Sequence, residues 1–456
     1  MGVRGLIGAA AVALAALTVP TGGGLFAQSV TLTPENMERA AFVLLRQGRG
    51  EQALALAEAL LTQFPTSSTA LLLKSQAERD LGRYAAATRS ARLSWKHSAT
   101  DQERYGAALA AAQGLASGGK RLPAQLWLRR AMDVAPNPVA RQIAEQDFLY
   151  VRSRSRLSVH LDLSVQPSSN VNNGTSSDTL WFLGLPFKLS GDARALSGVQ
   201  SSLAGQLRWR LTESETAKTD LRFGLQQQLV TLSKSAKVQA PEARGSDYAL
   251  SGVEIGLERS WRPVPAGEAV AGLTYGRNWY GGDPMSRYVR ADLAYRHDLS
   301  ADWRVFGALA WEDQSRDDAA LRSAKVSTLS LGLTHRLDNS DSLRFAIQMR
   351  DSRSASSDID HDAVEARLDW SRDKPFLKAQ WSIGLTAEKR DYDRSRYRAG
   401  GREDQSFGAE LSVRLNEMDY MGFVPVLTLG ASKTRSDVSL YDSTSKGVGL
   451  SIRSKF

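Results

Sequence analysis

The residues able to do chemistry in this chain are few and scattered. Five histidines, His97, His160, His297, His335 and His361, lie far apart, and none sits four residues from another, as a zinc-binding helix requires. Asp358, Asp360, His361 and Asp362 form one acidic cluster that can in principle hold a divalent cation, but in an outer loop such acids are expected simply to stay solvated. Arg390, Arg394, Arg396, Arg398 and Arg402 form a basic cluster whose guanidinium forks suit the lipid A phosphates of lipopolysaccharide, with Asp391 and Asp393 expected to neutralise several of them. No phosphate-binding glycine loop and no nucleophile elbow occurs. The chain therefore reads as a non-enzyme, with no cofactor and no bound metal.

Charge and targeting narrow the class. Net charge is +9, yet 58 Lys and Arg are mixed with 49 Asp and Glu, and no DNA or RNA recognition module accompanies them, so nucleic acid is not the expected partner. Arg4 precedes an apolar run from Leu6 to Val19, ended by Pro20 and Gly22 to Gly24; residues 1–27 are expected to be a secretory signal. The chain has no cysteine, so neither a disulfide nor a lipobox acylation stabilises or anchors the exported product.

Residues 28–150 read as a periplasmic domain of amphipathic helices, with Ala53, Leu54, Ala57, Leu60 and Leu61 at helical spacing. Gly48, Ala53 and Pro65 recur as Gly119, Ala124 and Pro136, and Gly82 with Ala87 lies 34 residues after the first pair. That period resembles tetratricopeptide repeats, about three of them and degenerate. Each Gly turns one helix into the next, each Ala lets helices approach closely, and each Pro ends a second helix. An unrelated helical bundle is the alternative; either way the part is a surface for holding a partner.

From residue 151 to 456 the period becomes 2, and alternating runs number fourteen. Leu343, Phe345, Ile347 and Met349 oppose Arg344, Gln348 and Arg350; Leu377, Trp381, Ile383 and Leu385 oppose Lys378, Gln380 and Thr386. Charges on the second face would be costly in lipid, so they are expected to line an interior. Short connections at 298–302, 338–341 and 373–375 alternate with long ones at 166–195, 233–246, 391–401 and 436–443, as periplasmic turns alternate with outer loops. An even strand number then places both barrel ends, and the helices, in the periplasm. Trp261, Trp279, Tyr280, Tyr288, Trp303 and Trp311 suit interfacial girdles. Phe456 closes the last alternating run as the final strand of an outer-membrane barrel does, an expected signal to the barrel-assembly machinery. The fold class is thus multidomain α and β: tetratricopeptide-like helical repeats followed by a 14-stranded antiparallel transmembrane β-barrel. A soluble β-sandwich is the alternative.

At the first strand and loop the chain reads Leu161-Asp162-Leu163-Ser164-Val165-Gln166-Pro167-Ser168-Ser169-Asn170-Val171-Asn172-Asn173-Gly174, followed later by Leu185-Pro186 and Leu196-Ser197-Gly198. With the signal, repeats and barrel, this resembles the surface lipoprotein assembly modulator (Slam) family. The resemblance implies a cell outer-membrane translocon that moves lipoproteins, or small soluble carrier proteins, to the surface, with repeats capturing client or periplasmic chaperone. It carries over no catalytic residue; Asn170, Asn172 and Asn173 are the family motif, or Asn residues that merely fold a turn. A polysaccharide exporter and a passive porin are the alternatives.

Overall fold

The computed structural model describes residues 33–182 and 184–454. The expected signal, residues 1–27, and Phe456 lie outside the described residues. Contacts divide the chain into two compact units, up to Ser155 and from Arg156 onward.

The first unit holds seven helices among the described residues: α1 Pro34–Arg46, α2 Gly50–Gln63, α3 Ser68–Asp80, α4 Tyr84–His97, α5 Asp101–Ser117, α6 Arg121–Asp133 and α7 Pro138–Ser153. Their ends repeat. The odd helices begin on side-chain caps: Thr33, Ser67, Thr100 and Asn137 each accept a hydrogen bond from a first-turn N–H. The even helices begin on Arg49, Arg83 and Lys120, with no side-chain cap, because each follows a glycine turn. Gly48, Gly82 and Gly119 sit at φ +73° to +78°, where only glycine is free of Cβ strain. After them Arg49 donates to Leu44 O (2.9 Å), Arg83 to Glu78 O (2.7 Å) and Lys120 to Leu115 O (2.8 Å), the Schellman closure three times over. Five residues past each glycine, Ala53, Ala87 and Ala124 are fully buried, so helices meet backbone to backbone. Between α3 and α4, Ser75 and Ser94 satisfy the carbonyls of Ala87 and Ser68, each at 2.8 Å. No described helix is long and apolar enough to cross a membrane.

The second unit is a closed antiparallel barrel of fourteen strands. In chain order they are β1 Leu157–Ser168, then, after a two-stranded hairpin β2 Thr179–Phe182 and β3 Leu185–Lys188 inside the first loop, β4 Gly198–Glu213, β5 Ala217–Leu232, β6 Leu250–Trp261, β7 Gly267–Tyr280, β8 Asp283–Asp298 and β9 Trp303–Arg316. A short helix α8, Lys234–Gln239, lies between β5 and β6. The barrel continues with β10 Ala324–Arg336, β11 Ser342–Ser354, β12 His361–Ser371, β13 Gln380–Tyr392, β14 Arg402–Arg414, β15 Phe423–Ser436 and β16 Ser443–Ser454. Closure pairs β16 with β1 and leaves no free edge.

Three expectations need correction. Leu377 and Lys378 are not in a strand: both have positive φ, and Phe376 bridges Ala379, so a tight reverse turn delays β13 to Gln380. Connection lengths do not alternate strictly, since β7 and β8 join through Gly281-Gly282 alone, on the long-loop end, where two successive positive φ angles allow a two-residue turn. Tyr288 is not in a girdle. It falls on the inner face of β8, and its hydroxyl donates to Glu254 at 2.9 Å.

Candidate functional site

Strand pleating sorts the barrel's side chains onto two surfaces. Outside, Leu161, Leu273, Leu309, Leu331 and Leu450 are each about half exposed, as apolar residues are when their solvent is not water. Trp209, Trp261, Tyr295, Trp303, Trp370 and Trp381 fall near the short-turn end of their strands, where one amphipathic ring after another meets the headgroup level. Trp303 stacks on His335 at 4.0 Å between ring centroids.

Inside, the wall is charged and paired. Arg222 reaches Glu258 at 2.8 Å, with Arg208 on the same carboxylate at 3.7 Å. Arg290 stands among Glu254, Asp292 and Glu312 at 3.4–3.9 Å, while Arg367 pairs with Asp369 at 2.8 Å. Arg344 lies over the ring of Phe306, 4.5 Å from its centroid. Such groups would be expelled from hydrocarbon; facing one another across water they need little further support.

The long-loop mouth is folded inward. Val171 and Leu196, from the β1–β4 loop, pack with Val230, Leu232, Ala236 and Ala240 of β5 and α8 into a small apolar core. Gln200, on the inner face of β4, donates to the Val171 carbonyl at 3.4 Å. The motif asparagines build this turn. Asn170 is buried and exchanges two 2.9 Å bonds with the Gly174 backbone. Asn172 donates to the carbonyls of Asp192 and Arg194 and accepts from Leu196 N–H at 2.8 Å. Asn173 adopts the left-handed conformation at φ +53°. A Cβ on Gly174 would collide with the Arg194 carbonyl. All three asparagines thus take part in folding this loop.

The same loop is tied across the mouth. Thr175 donates to the carbonyls of Ser439 and Asp442 at 2.8 and 2.9 Å, and Ser439 donates to Thr179 O at 3.0 Å. Phe182 meets Tyr397 edge to face, and Tyr397 meets Tyr441. Tyr441 donates to Asp358 at 2.9 Å; burial and that bond push its phenol well above the usual range.

Here the five arginines find their partners, and these are not the expected Asp391 and Asp393. Arg390 is an inner-wall residue, forked onto Glu388 with two 2.8 Å bonds. Arg394 pairs with Asp360 (3.1 Å), Arg396 with Asp358 (3.3 Å) and Arg398 with Asp437. Arg402 is buried beside Asp404 at 3.1 Å, its guanidinium sandwiched 3.7 Å from the Tyr392 ring and 3.5 Å from that of Tyr441. Burial raises the Asp360 carboxyl, but the Ser354 N–H and Arg394 outweigh it and hold the group below its ordinary value. The acidic cluster is thus spent on loop closure: Asp362 goes to Arg353, and no metal-holding group of side chains occurs among the described residues. Sequence reasoning missed the apolar core at the mouth, because Val171, Leu196, Val230 and Ala240 are far apart in the chain and share no period.

A closed cylinder with an apolar outer band and a charged interior defines an outer-membrane β-barrel. The model of the surface lipoprotein assembly modifier family (SlipAM) matches residues 268–456, from within β7 through the end of the chain, in agreement with the resemblance read in the first loop. No curated protein matches. Among solved structures, Acinetobacter baumannii OccAB3 shares 8% identity, covering 64% of this chain and 98% of its own, with TM-score 0.36. The loop-deleted OmpT of Vibrio cholerae shares 7%, covering 66% and 99%, with TM-score 0.36. The Yersinia enterocolitica type III secretion translocator chaperone SycD shares 19%, covering 30% and 96%, with TM-score 0.24. Likeness at these scores says nothing of cargo.

Proposed function

We propose that this protein is an outer-membrane translocon that moves lipoproteins, or small soluble carrier proteins, to the cell surface. The long-loop end faces outward, and the helical unit lies in the periplasm, where tetratricopeptide-like hairpins capture the client or its chaperone. The observation that carries the reading is the mouth: a polar, ion-paired lumen lies under loops that pack on their own apolar core, which suits a path opened by cargo better than one for steady diffusion. The family match over residues 268–456 supports the same direction. Exit of a polypeptide requires the Asn170–Gly174 turn and the Tyr441 cluster to move aside together. The barrel-assembly machinery is the proposed partner of the final strand, through Phe456. Lipopolysaccharide contact is proposed for the outward sides of Arg394, Arg396 and Arg398, which remain half exposed beside their carboxylates.

The test is export in a reconstituted host of a lipoprotein encoded beside this chain. Surface display is expected from the full chain and its loss on deleting residues 33–148. Steady single-channel conductance from the full chain without client, and display indifferent to the deletion, would favour a porin instead.

A further inference from the structure

The seam between the first and last strands loses rungs without a change of register, whereas the breaks in the β4–β5 and β7–β8 seams are register shifts at bulges. Among the described residues β1 and β16 are registered at Leu163↔Ile452, Ser164↔Ser451, Val165↔Leu450 and Ser168↔Gly447. On its other edge β1 pairs without a break from Leu157↔Trp209 to Ser168↔Gly198. Even the shorter β12–β13 seam runs unbroken from Asp362↔Asp391 to Ser371↔Ser382. The gap in the β1–β16 seam falls at Gln166 and Pro167. Its cause is chemical. Ser169 N–H donates to Lys446 O at 2.9 Å, so in an antiparallel ladder of constant register the next residue of β1 whose N–H faces β16 is Pro167. Proline has no N–H, and that rung cannot form. One step toward the mouth, Lys446 N–H is answered by Ser169 Oγ (2.9 Å) rather than by a main-chain carbonyl. Ser168 and Ser445 add a hydroxyl contact at 3.4 Å. At the mouth-side end of this seam serine side chains thus stand beside the few main-chain rungs that remain.

On the outer wall over that end lies a groove of about 840 Å³, within the roughly 300–1,000 Å³ of ordinary ligand clefts. Pro167, Val199, Ala431 and Val448 line it, with Ser169, Ser197 and Lys446 at its mouth-side edge. Along its floor these smaller side chains lie beside the larger Ile383, Leu411 and Leu429, so the trough is apolar throughout. An apolar trough ending in hydroxyls and an exposed ammonium is complementary to one kind of molecule, an amphiphile whose hydrocarbon tail meets ester or amide carbonyls.

We propose that this groove receives the acyl chains of a lipoprotein's lipid anchor, and that the β1–β16 seam parts there, so the chains reach the membrane while the polypeptide occupies the lumen. The client in this statement rests on the export reading above; the groove and the weak seam do not. An acyl chain has no favourable path along a lumen lined with ion pairs, whereas a broken ladder beside an apolar trough gives it one.

The absence of native cysteine makes the test direct. Full-length Val448→Cys and, on the far wall, Leu309→Cys are each labelled with a fluorophore in phosphatidylcholine–phosphatidylglycerol vesicles. They are titrated with a synthetic triacylated Cys-Ser-Lys peptide bearing a nitroxide quencher, and separately with nitroxide phosphatidylcholine. Quenching at 448 is expected at a peptide fraction about tenfold lower than at 309, with no such preference for the phospholipid. Equal quenching by the peptide at both positions, or the same preference shown by phosphatidylcholine, overturns the anchor site. The exit is tested by a disulfide between Ser164→Cys and Ser451→Cys, with Ala308→Cys and Ser330→Cys as the lock of another seam. The β1–β16 lock is expected to cut display of a lipidated client about tenfold, reversibly on reduction, and to spare the same client without its lipidation cysteine. Undiminished lipidated display, or equal loss from the control lock, overturns it. If the unlocked chain exports neither form, the export reading fails while the quenching result still decides the groove.

Discussion

The two units of this chain solve opposite problems. In the helical unit the interior is apolar and made small: Ala41, Ala53, Ala57, Ala70, Ala77, Ala87 and Ala91 are fully buried, and backbones approach until little space remains. In the barrel the interior is polar, the large apolar residues point outward, and pairing of main-chain groups does the work that packing does in the helices. The same hydrophobic effect builds both; what differs is which side of the element meets water. A substitution should therefore be judged by the surface it falls on rather than by its type.

The comparison is broken most severely by charge. Leu331→Arg, on the outer face of β10, is expected to cost about 2–4 kcal/mol, whereas Ser330→Arg, one residue away and facing the lumen, should cost well under half of that; urea unfolding in vesicles checks both. A similar cost at both sites would mean that no lipid–water division exists. Next comes crowding: Ala124→Leu in the helical unit is expected to lose about 1–3 kcal/mol by overpacking, read from the helical circular-dichroism transition of the full chain. Gly82→Ala, at φ +74°, should cost about 1–2 kcal/mol in the same measurement although nothing lies within 4 Å of its new methyl, because the penalty is in the backbone. Smaller still is Tyr441→Phe, which removes one donor from Asp358 and should loosen the mouth by about 1 kcal/mol, seen as faster proteolysis of the loops with the barrel intact.

The smallest effect is one of pH. Because the Asp360 carboxyl titrates below its ordinary value, the stabilisation from its Arg394 pair is complete above about pH 3.9 and is lost only as pH falls through the lower folded value. Pepsin cleavage in the 393–401 loop should stay flat as pH falls to about 4 and rise beneath that. A rise already between pH 6 and 5 would show that the pair does not hold the loop. The mouth is thus secured by ion pairs and rings together with a small apolar core.

Much of the architecture was legible in the chain. The period-2 runs fall within a few residues of all fourteen strands, and the recurring glycines land on three identical helix turns. A further repeat went unread, the caps Thr33, Ser67, Thr100 and Asn137, which mark each odd helix as plainly as glycine marks each even one. The arginine cluster was visible, but its partners were not. Neighbouring Asp391 and Asp393 are near in sequence, whereas Asp358, Asp360 and Asp437 are near only after β12, β13, β14 and β15 have been placed side by side.

The amino-acid order by itself determined the helical hairpins, the strand count and the lipid-facing surface, because each follows from a period of a few residues and acts locally. Only the tertiary structure decided that Tyr288 faces the lumen, that two distant loops share an apolar core at the mouth, and that the missing N–H of Pro167 falls on the β16 edge of β1 rather than on its β4 edge. Those depend on which strands become neighbours and in what register, and a closed ladder settles that by pairing residues up to 289 positions apart, as Leu163 with Ile452.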